Sequence, residues 1–534
     1  MLDLSYELNF AFALMPVVLM SIAVLGAGRS HASVQRMWRQ FHVFTFAALA
    51  FSLAGLVSQL LFAPTAHSGP GAGVNGWLAT GQLSAWVSLL VQLLGAAIGV
   101  YSSNHLKGEP HQPVYITALA AVLAAVHLLL LANHWVVLIA AWAAIQYAMH
   151  RLLCFYKDRP FALLAAHKKM VTDRAADVLL VIAAILAWSQ VGSGSLSALW
   201  AYIAAGHASA PLVWSGVCLV LAVIARTALM PVHGWLVQVM EAPTPVSALL
   251  HAGVVNLGGY VLVLFAPLLG VSLAARWLLV VFGMVSAMVA GLVLLTRVSQ
   301  KVHLAWSTIA QMGFMLLECG LGLYLFAALH LLGHSLYKAH NFLSASSAVA
   351  ESNRKLITGE TRNSGLSMVA AVPVAFAIVF ALQFVMGNHV WPWWWSAVLA
   401  LAWAPLLWMP RMERGCASLA FARVGVGLAA TTFLTFASSV MDHAPIGADS
   451  DPLTAAGIVA LVGMGVMYLE MTAFQLWPQS LVTARRWVYA GFYMDEGYTH
   501  WVLRLWPVRW AGADRGAVRA PWIPREFDCR RLES

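Results

Sequence analysis

A chain of 534 residues that is 61% hydrophobic and only 10% charged has too little polar surface for a soluble fold, in which about one residue in four is charged. Its net charge of +9 falls in alternate loops, which membrane topology explains without a nucleic-acid partner. Five cysteines, Cys154, Cys218, Cys319, Cys416 and Cys529, show no CxxC spacing, which argues against a metal knuckle or a disulfide framework.

Apolar runs of about 20 residues, enough to cross roughly 30 Å of hydrocarbon, recur along nearly the whole length. In chain order they predict spans at 5–28, 41–63, 78–101, 112–132, 134–153, 175–192, 211–229, 246–268, 273–295, 302–319, 322–349, 368–387, 391–410, 420–441 and 453–474. The first follows Asp3 and Glu7 with no Lys or Arg before it, so it lacks the basic flank of a cleaved signal peptide and is expected to stay. The expected fold is an all-α polytopic membrane protein with about fifteen transmembrane helices. It divides into N-terminal helices (1–110), a core (111–350), C-terminal helices (351–474) and a basic cytoplasmic tail (475–534).

With the N-terminus outside and the C-terminus cytoplasmic, the inside loops hold Arg29, Arg36 and Arg39, then Lys107, Arg151 through Arg174, Arg297 and Lys301, Arg354 through Arg362, Arg411 through Arg423, and the tail from Arg485. Every Lys or Arg then lies inside except Arg226, Arg276 and Lys338, in agreement with the positive-inside rule. Arg276 is at a helix edge and is expected to snorkel to the surface. Arg226 and Lys338 are embedded in apolar helices, where an ionisable group normally faces a bundle interior or a wet cavity.

Two helices are expected to be interrupted. Pro231, Gly234, Pro243 and Pro245 fall between one span and the next, and proline removes a backbone donor and clashes with the preceding turn. A kink at Gly333, amid polar side chains, is the second and weaker case. Broken helices in membranes line wet cavities and ion paths.

His330, His334 and Lys338 recur every fourth residue, which sets them on one helix face about 6 Å apart. Histidine exchanges protons near neutral pH, and a desolvated lysine can do so too. The face therefore reads as a proton ladder; packing by hydrogen bonds is the competing role. His251, just beyond Pro245, can face the same interior with Asn256, and capping is its alternative. Lys301 by itself reads as an interface anchor. Asp177, Glu241, Glu318 and Glu470 are the acids near spans, and Asp177 and Glu241 are the expected counter-charges of Arg226. His330 and His334 have metal-ligand spacing, yet no carboxylate or thiolate completes a site, so no metal is expected. Phosphate loops, GxSxG, HExxH and CxxCH are absent, and no enzymatic chemistry is expected. Trp391, Trp393, Trp394 and Trp395 fit an interfacial belt.

The runs MEAPTPVSALLHAG from Met240, KVHLAWSTIAQMGFM from Lys301 and HLLGHSLYKAHNFLSASS from His330 resemble the antiporter-like membrane subunits of respiratory complex I and of multisubunit sodium/proton antiporters. GFYMDEGY, Gly491 to Tyr498, resembles the end segment of the subunit-5 branch. The resemblance runs from about residue 80 to 350 and implies two inverted five-helix repeats, each with a broken helix. It also implies a hydrophilic axis of His251, Lys301, His330, His334 and Lys338, which turns Lys301 from an anchor into a proton-path residue.

There are departures. The family glutamate that follows the tryptophan of the fifth helix is Ala143 here, and the partner lysine is Arg226, which cannot release a proton and is expected to act as a fixed charge. The late TAGFFSKDE segment has no counterpart and the tail is short. With HGWLVQVMEAPTPVSALLHAGVVNLGGYVL and MHRLLCFY, these departures resemble the DabB subunits of inorganic-carbon accumulation complexes. That resemblance implies a proton-conducting subunit of a CO2/bicarbonate uptake pump in a bacterial inner membrane. Protons or sodium ions would drive it, and a DabA-like zinc-binding soluble partner would hydrate CO2, so zinc belongs to the partner and no cofactor to this chain. A respiratory NADH/quinone dehydrogenase or sodium/proton antiporter subunit is the second reading, and a transport-dead scaffold the third. On the first reading, Ala143 and Arg226 leave the route intact in one half only.

Overall fold

The computed structural model describes residues 2–27, 33–62, 76–156, 158–344, 363–386, 391–409, 417–441, 451–477 and 479–507. Within them the regular structure is helical, with isolated β-bridges such as that between His134 and Ser195 in the connections. Arg29, the basic segments Arg354 to Arg362 and Arg411 to Arg414, and the tail beyond residue 507 lie outside the described residues.

The N-terminal helices are α1 (Leu2–Ala27), α2 (Val34–Phe62) and α3 (Gln82–His105). Next come α4 (Gln112–Leu130), α5 (Trp135–Leu153), α6 (Pro160–Val191), α7 (Leu196–Ala204), α8 (Ala210–Arg226), α9 (Gly234–Gln238), α10 (Thr244–Leu249), α11 (Leu257–Leu264), α12 (Ala266–Val271), α13 (Leu273–Leu294), α14 (Gln300–Leu321) and α15 (Tyr324–Leu343). Then come α16 (Gly365–Val385), α17 (Trp393–Trp403), α18 (Ala417–Met441) and α19 (Thr454–Leu476), and the tail carries α20 (Val482–Tyr489) and α21 (Met494–Leu505).

Eleven helices among the described residues are long and apolar enough to cross a bilayer: α1 to α5, the composite of α10 and α11, α13, α14, α16, α18 and α19. The α8 helix and the segment Trp393–Leu407 are apolar but shorter. The two other predicted windows hold α6 and α15, both of which bury titratable side chains.

Small residues allow close approach where lipid gives helices no hydrophobic reason to associate. At the α13–α14 crossing, a Cβ on Gly283 would meet the Gly313 carbonyl oxygen at 2.6 Å, and one on Gly313 would meet that of Gly283 at 2.7 Å. The main core runs from α1 through α15 and takes in Val488, Tyr498 and Val502 of the tail, which folds back onto it.

Four expectations need correction. The α6 helix starts at Pro160, at its first turn where proline is tolerated, and runs 32 residues to a left-handed Gly192; residues 160–174 are therefore not loop. The α15 helix is continuous through Gly333, where an added Cβ would meet nothing within 4 Å, so no crowding bends it. Arg276 is buried, donating from Nε to the Gly320 carbonyl at 3.1 Å and from Nη1 to Asp451 Oδ2 at 2.9 Å. Trp391, Trp394 and Trp395 are buried, the last against Phe326 and Phe314, whereas Trp393 is exposed.

Candidate functional site

The prolines decide the local path after α8. A turn, the short α9 and the 3-10 piece Val239–Glu241 fill the gap before the chain restarts at Thr244. Leu250–Val254 then winds as a π-helix, a widened turn that occurs frequently at functional sites. It carries His251, which is fully buried. His251 Nδ1 lies 3.1 Å from Thr308 Oγ1 on α14, and its ring stacks on Phe342 of α15 with centroids 4.7 Å apart. Asn256 Nδ2 donates to Ser335 Oγ on α15 at 2.6 Å.

On α15, His330, His334 and Lys338 follow turn by turn. Lys338 is fully buried, and its Nζ donates to the Leu304 carbonyl at 3.0 Å and to the Ser307 hydroxyl, both on α14. His334 is buried with neither ring nitrogen hydrogen-bonded among the described residues, and it lies within electrostatic reach of Lys338, His330 and His251. The His330 and His334 ring centroids are 6.0 Å apart, and His330 Nδ1 lies 2.9 Å from Glu318 Oε2. Half-buried Lys301 donates to Thr244 Oγ1 at 3.0 Å, one turn of α14 before Leu304. His251, His330, His334 and Lys338 thus form one row, with Lys301 at its α14 N-terminal end.

A second group lies between α5, α6 and α8. Arg226, almost fully buried, pairs with Asp177 on α6, and its guanidinium sits 4.3 Å from the Trp142 ring centroid. Asp177 also accepts from exposed Arg174 at 3.0 Å. One turn before Asp177, Asp173 accepts from Lys169 at 2.5 Å, and Lys169 also donates to Gln146 Oε1 on α5. Lys169 and Asp173 are both buried, and Lys169 Nζ stands 5.2 Å from the Trp235 ring of α9. Glu241 does not join them. Its side chain is exposed and its carbonyl accepts from Arg159 Nη1 at 2.9 Å.

The tail closes the region on one side. Asp495 of α21 accepts from buried Lys168 of α6 and, at 2.9 Å, from Gln238 of α9; Lys168 also donates to Thr499 at 2.7 Å. Burial raises the Tyr498 phenol above its usual range, and its hydroxyl donates to the Lys168 carbonyl at 3.2 Å. Fully buried His233 lies within electrostatic reach of Asp495 and Lys168, with its ring centroid 5.0 Å from that of Trp306 on α14.

Ionisable side chains are costly inside an apolar bundle and ordinarily face its interior or a wet cavity. Lys169, Asp173, Gln146 and His233 were not singled out from the sequence, and Glu318 was not tied to His330. The four-residue spacing of Lys169 and Asp173 was the available signal. Among the described residues, no three His, Cys, Asp or Glu side chains converge to hold a metal ion.

The family described as "NADH:quinone oxidoreductase/Mrp antiporter, TM" matches residues 132–402. The chain is 35% identical over 474 residues to the "Probable inorganic carbon transporter subunit DabB" of Hydrogenovibrio crunogenus, covering 86% of this chain and 90% of that one. It is 40% identical over 360 residues to "Probable inorganic carbon transporter subunit DabB2" of Halothiobacillus neapolitanus, 65% of this chain and 64% of that one. Its fold is similar to a chain of the Mrp complex from Dietzia sp., with a TM-score of 0.51 and 20% identity over 94% of this chain and 56% of that one.

Proposed function

We propose that this chain, which belongs to the NADH:quinone oxidoreductase/Mrp antiporter membrane family as a DabB-like inorganic carbon transporter subunit, conducts protons or sodium ions to drive one-way hydration of CO2 by a DabA-like soluble partner. On this reading the chain crosses a bacterial inner membrane fifteen times as two inverted repeats and flanking helices, with the N-terminus outside and the C-terminus in the cytoplasm. The segment 111–350 is the conducting core. Zinc and the hydration chemistry belong to the partner.

The observation that carries this reading is the row on α15. His330, His334 and Lys338 are held between Glu318 at one end and His251, Ser307 and Leu304 at the other. Burying ionisable groups in a bilayer costs a few kcal/mol each or more, so a row of them argues for transport over packing. Lys338 is the central carrier, His251, His330 and His334 pass protons to and from it, and Lys301 serves the cytoplasmic end. Arg226 with Asp177 is a fixed charge pair, because a guanidinium does not deprotonate at any ordinary pH.

The test is accumulation of radiolabelled bicarbonate in cells whose growth in air depends on the chain and its partner. Accumulation is expected to stop when a protonophore, or for sodium drive a sodium ionophore, collapses the gradient. Accumulation at the untreated rate with both gradients collapsed contradicts the proposal.

A further inference from the structure

By the resemblance described above, Ala143 and Arg226 stand where a glutamate and a lysine are expected in the first half, yet that half is not without an exchangeable group. We propose that Lys169, on α6, is its proton carrier, with Asp173 as the acid that holds it, so that both halves conduct. This rests on the proton-conducting function proposed above and adds a second site to it.

Three observations carry the inference. Lys169 and Asp173 are 3% and 8% exposed at their side chains, although a charge pair one helical turn apart on a surface helix would ordinarily face water. Lys169 binds Asp173 and also Gln146, which lies on the helix of Ala143, one turn beyond it. Finally, the pair abuts Arg226: Lys169, Asp173, Asp177 and Arg226 all lie within electrostatic reach of one another. The acid absent from α5 and the lysine absent from α8 are thus both supplied, in neighbouring positions, by α6.

The groups that face Lys169 are few. From α6 they are Asp173 and Asp177, from α5 Gln146 and half-buried His150, from α8 Arg226, and from α9 the Trp235 ring. Two buried cations, Lys169 and Arg226, meet two carboxylates, Asp173 and Asp177, and exposed Arg174 pairs with Asp177 from outside. When the Lys169 ammonium gives up one proton, its N–H bond breaks, an N–H bond forms on the neutral imidazole of His150, and a neutral amine remains beside Asp173. The amine takes one proton back to complete the cycle. His150 lies one turn beyond Gln146 on α5 and within electrostatic reach of Lys169 and Asp173, and is the group assigned here to take up and return that proton. A structural role alone would need only a permanent cation at residue 169, which an arginine provides.

Lys169→Arg therefore separates the two roles. In cells carrying the full complex, Lys169→Arg is expected to cut radiolabelled bicarbonate accumulation roughly tenfold or more while the yield and size of the purified complex stay unchanged, because arginine cannot release the proton. Lys338→Arg is measured in parallel. Wild-type accumulation in Lys169→Arg with loss in Lys338→Arg overturns the first-half carrier and leaves the proposed function standing; wild-type accumulation in both overturns the proposed function itself. If Lys169→Arg lowers the yield of complex, the exchange Lys169→Arg with Arg226→Lys decides, since it returns a lysine to α8 at constant charge. Recovery above the single variant supports the carrier, and no recovery overturns it.

Discussion

Glu318 of α14 and His330 of α15 meet 2.9 Å apart, joining consecutive helices at the end of the α15 row away from Lys338. Glu318 is 4% exposed, and a buried carboxylate without a partner would be costly. The contact puts a carboxylate and an imidazole at hydrogen-bond distance at this end of the row. Glu318→Gln keeps the size of the side chain and removes its charge. Bicarbonate accumulation by the full complex is expected to fall at least about tenfold, as a barrier increase of ~1.4 kcal/mol would give, with normal assembly. Unchanged accumulation would place Glu318 outside the route.

The docking of the tail depends on one ion pair. Lys168 has no exposed side-chain surface, and Asp495 is its carboxylate partner, so Asp495→Asn leaves a buried ammonium with weaker acceptors. A loss of roughly 3 kcal/mol is expected, concentrated in the contact of 479–507 with α6 and α9. Hydrogen exchange of that segment in the purified complex checks it. Protection equal to wild type would show that the apolar contacts of Val488 and Val502 suffice.

The α13–α14 crossing tolerates no side chain, because Gly283 and Gly313 each approach the other's carbonyl oxygen. Gly313→Val forces backbone apart in a packed bundle, a cost of about 1–3 kcal/mol or more. The thermal unfolding midpoint of the detergent-solubilised complex is expected to fall, whereas Gly333→Ala, in open space on α15, should leave it unchanged or raise it slightly, since alanine favours helix over glycine.

Apolar runs and the loops between them were enough to locate a helix at each of the fifteen predicted windows, and the prolines at 231, 243 and 245 announced the interruption before α10. The π turn at His251 was not legible, since no side-chain pattern distinguishes a widened turn from an α turn. The largest miss, residues 160–174, has an electrostatic cause. Counting Lys and Arg by loop treats every basic residue as solvated, and Lys168 and Lys169 are instead neutralised by Asp495 and Asp173. Asp495 is 327 positions from Lys168, so no local window could pair them. The same blindness hid the burial of Arg276 beside Asp451 and the contact between Glu318 and His330. The α15 ladder was legible because it lies on one helix face, whereas the first-half cluster is assembled from three helices.

Proton flux through Lys338 tests the central claim most directly. The full complex is placed in proteoliposomes with a pH-sensitive dye trapped inside, a pH gradient is imposed, and CO2 is supplied on the side of the soluble partner. Wild-type complex is expected to dissipate the gradient faster once CO2 is added, and Lys338→Ala complex of equal yield to show no acceleration. Dissipation by Lys338→Ala at the wild-type rate would contradict a proton path through the α15 row.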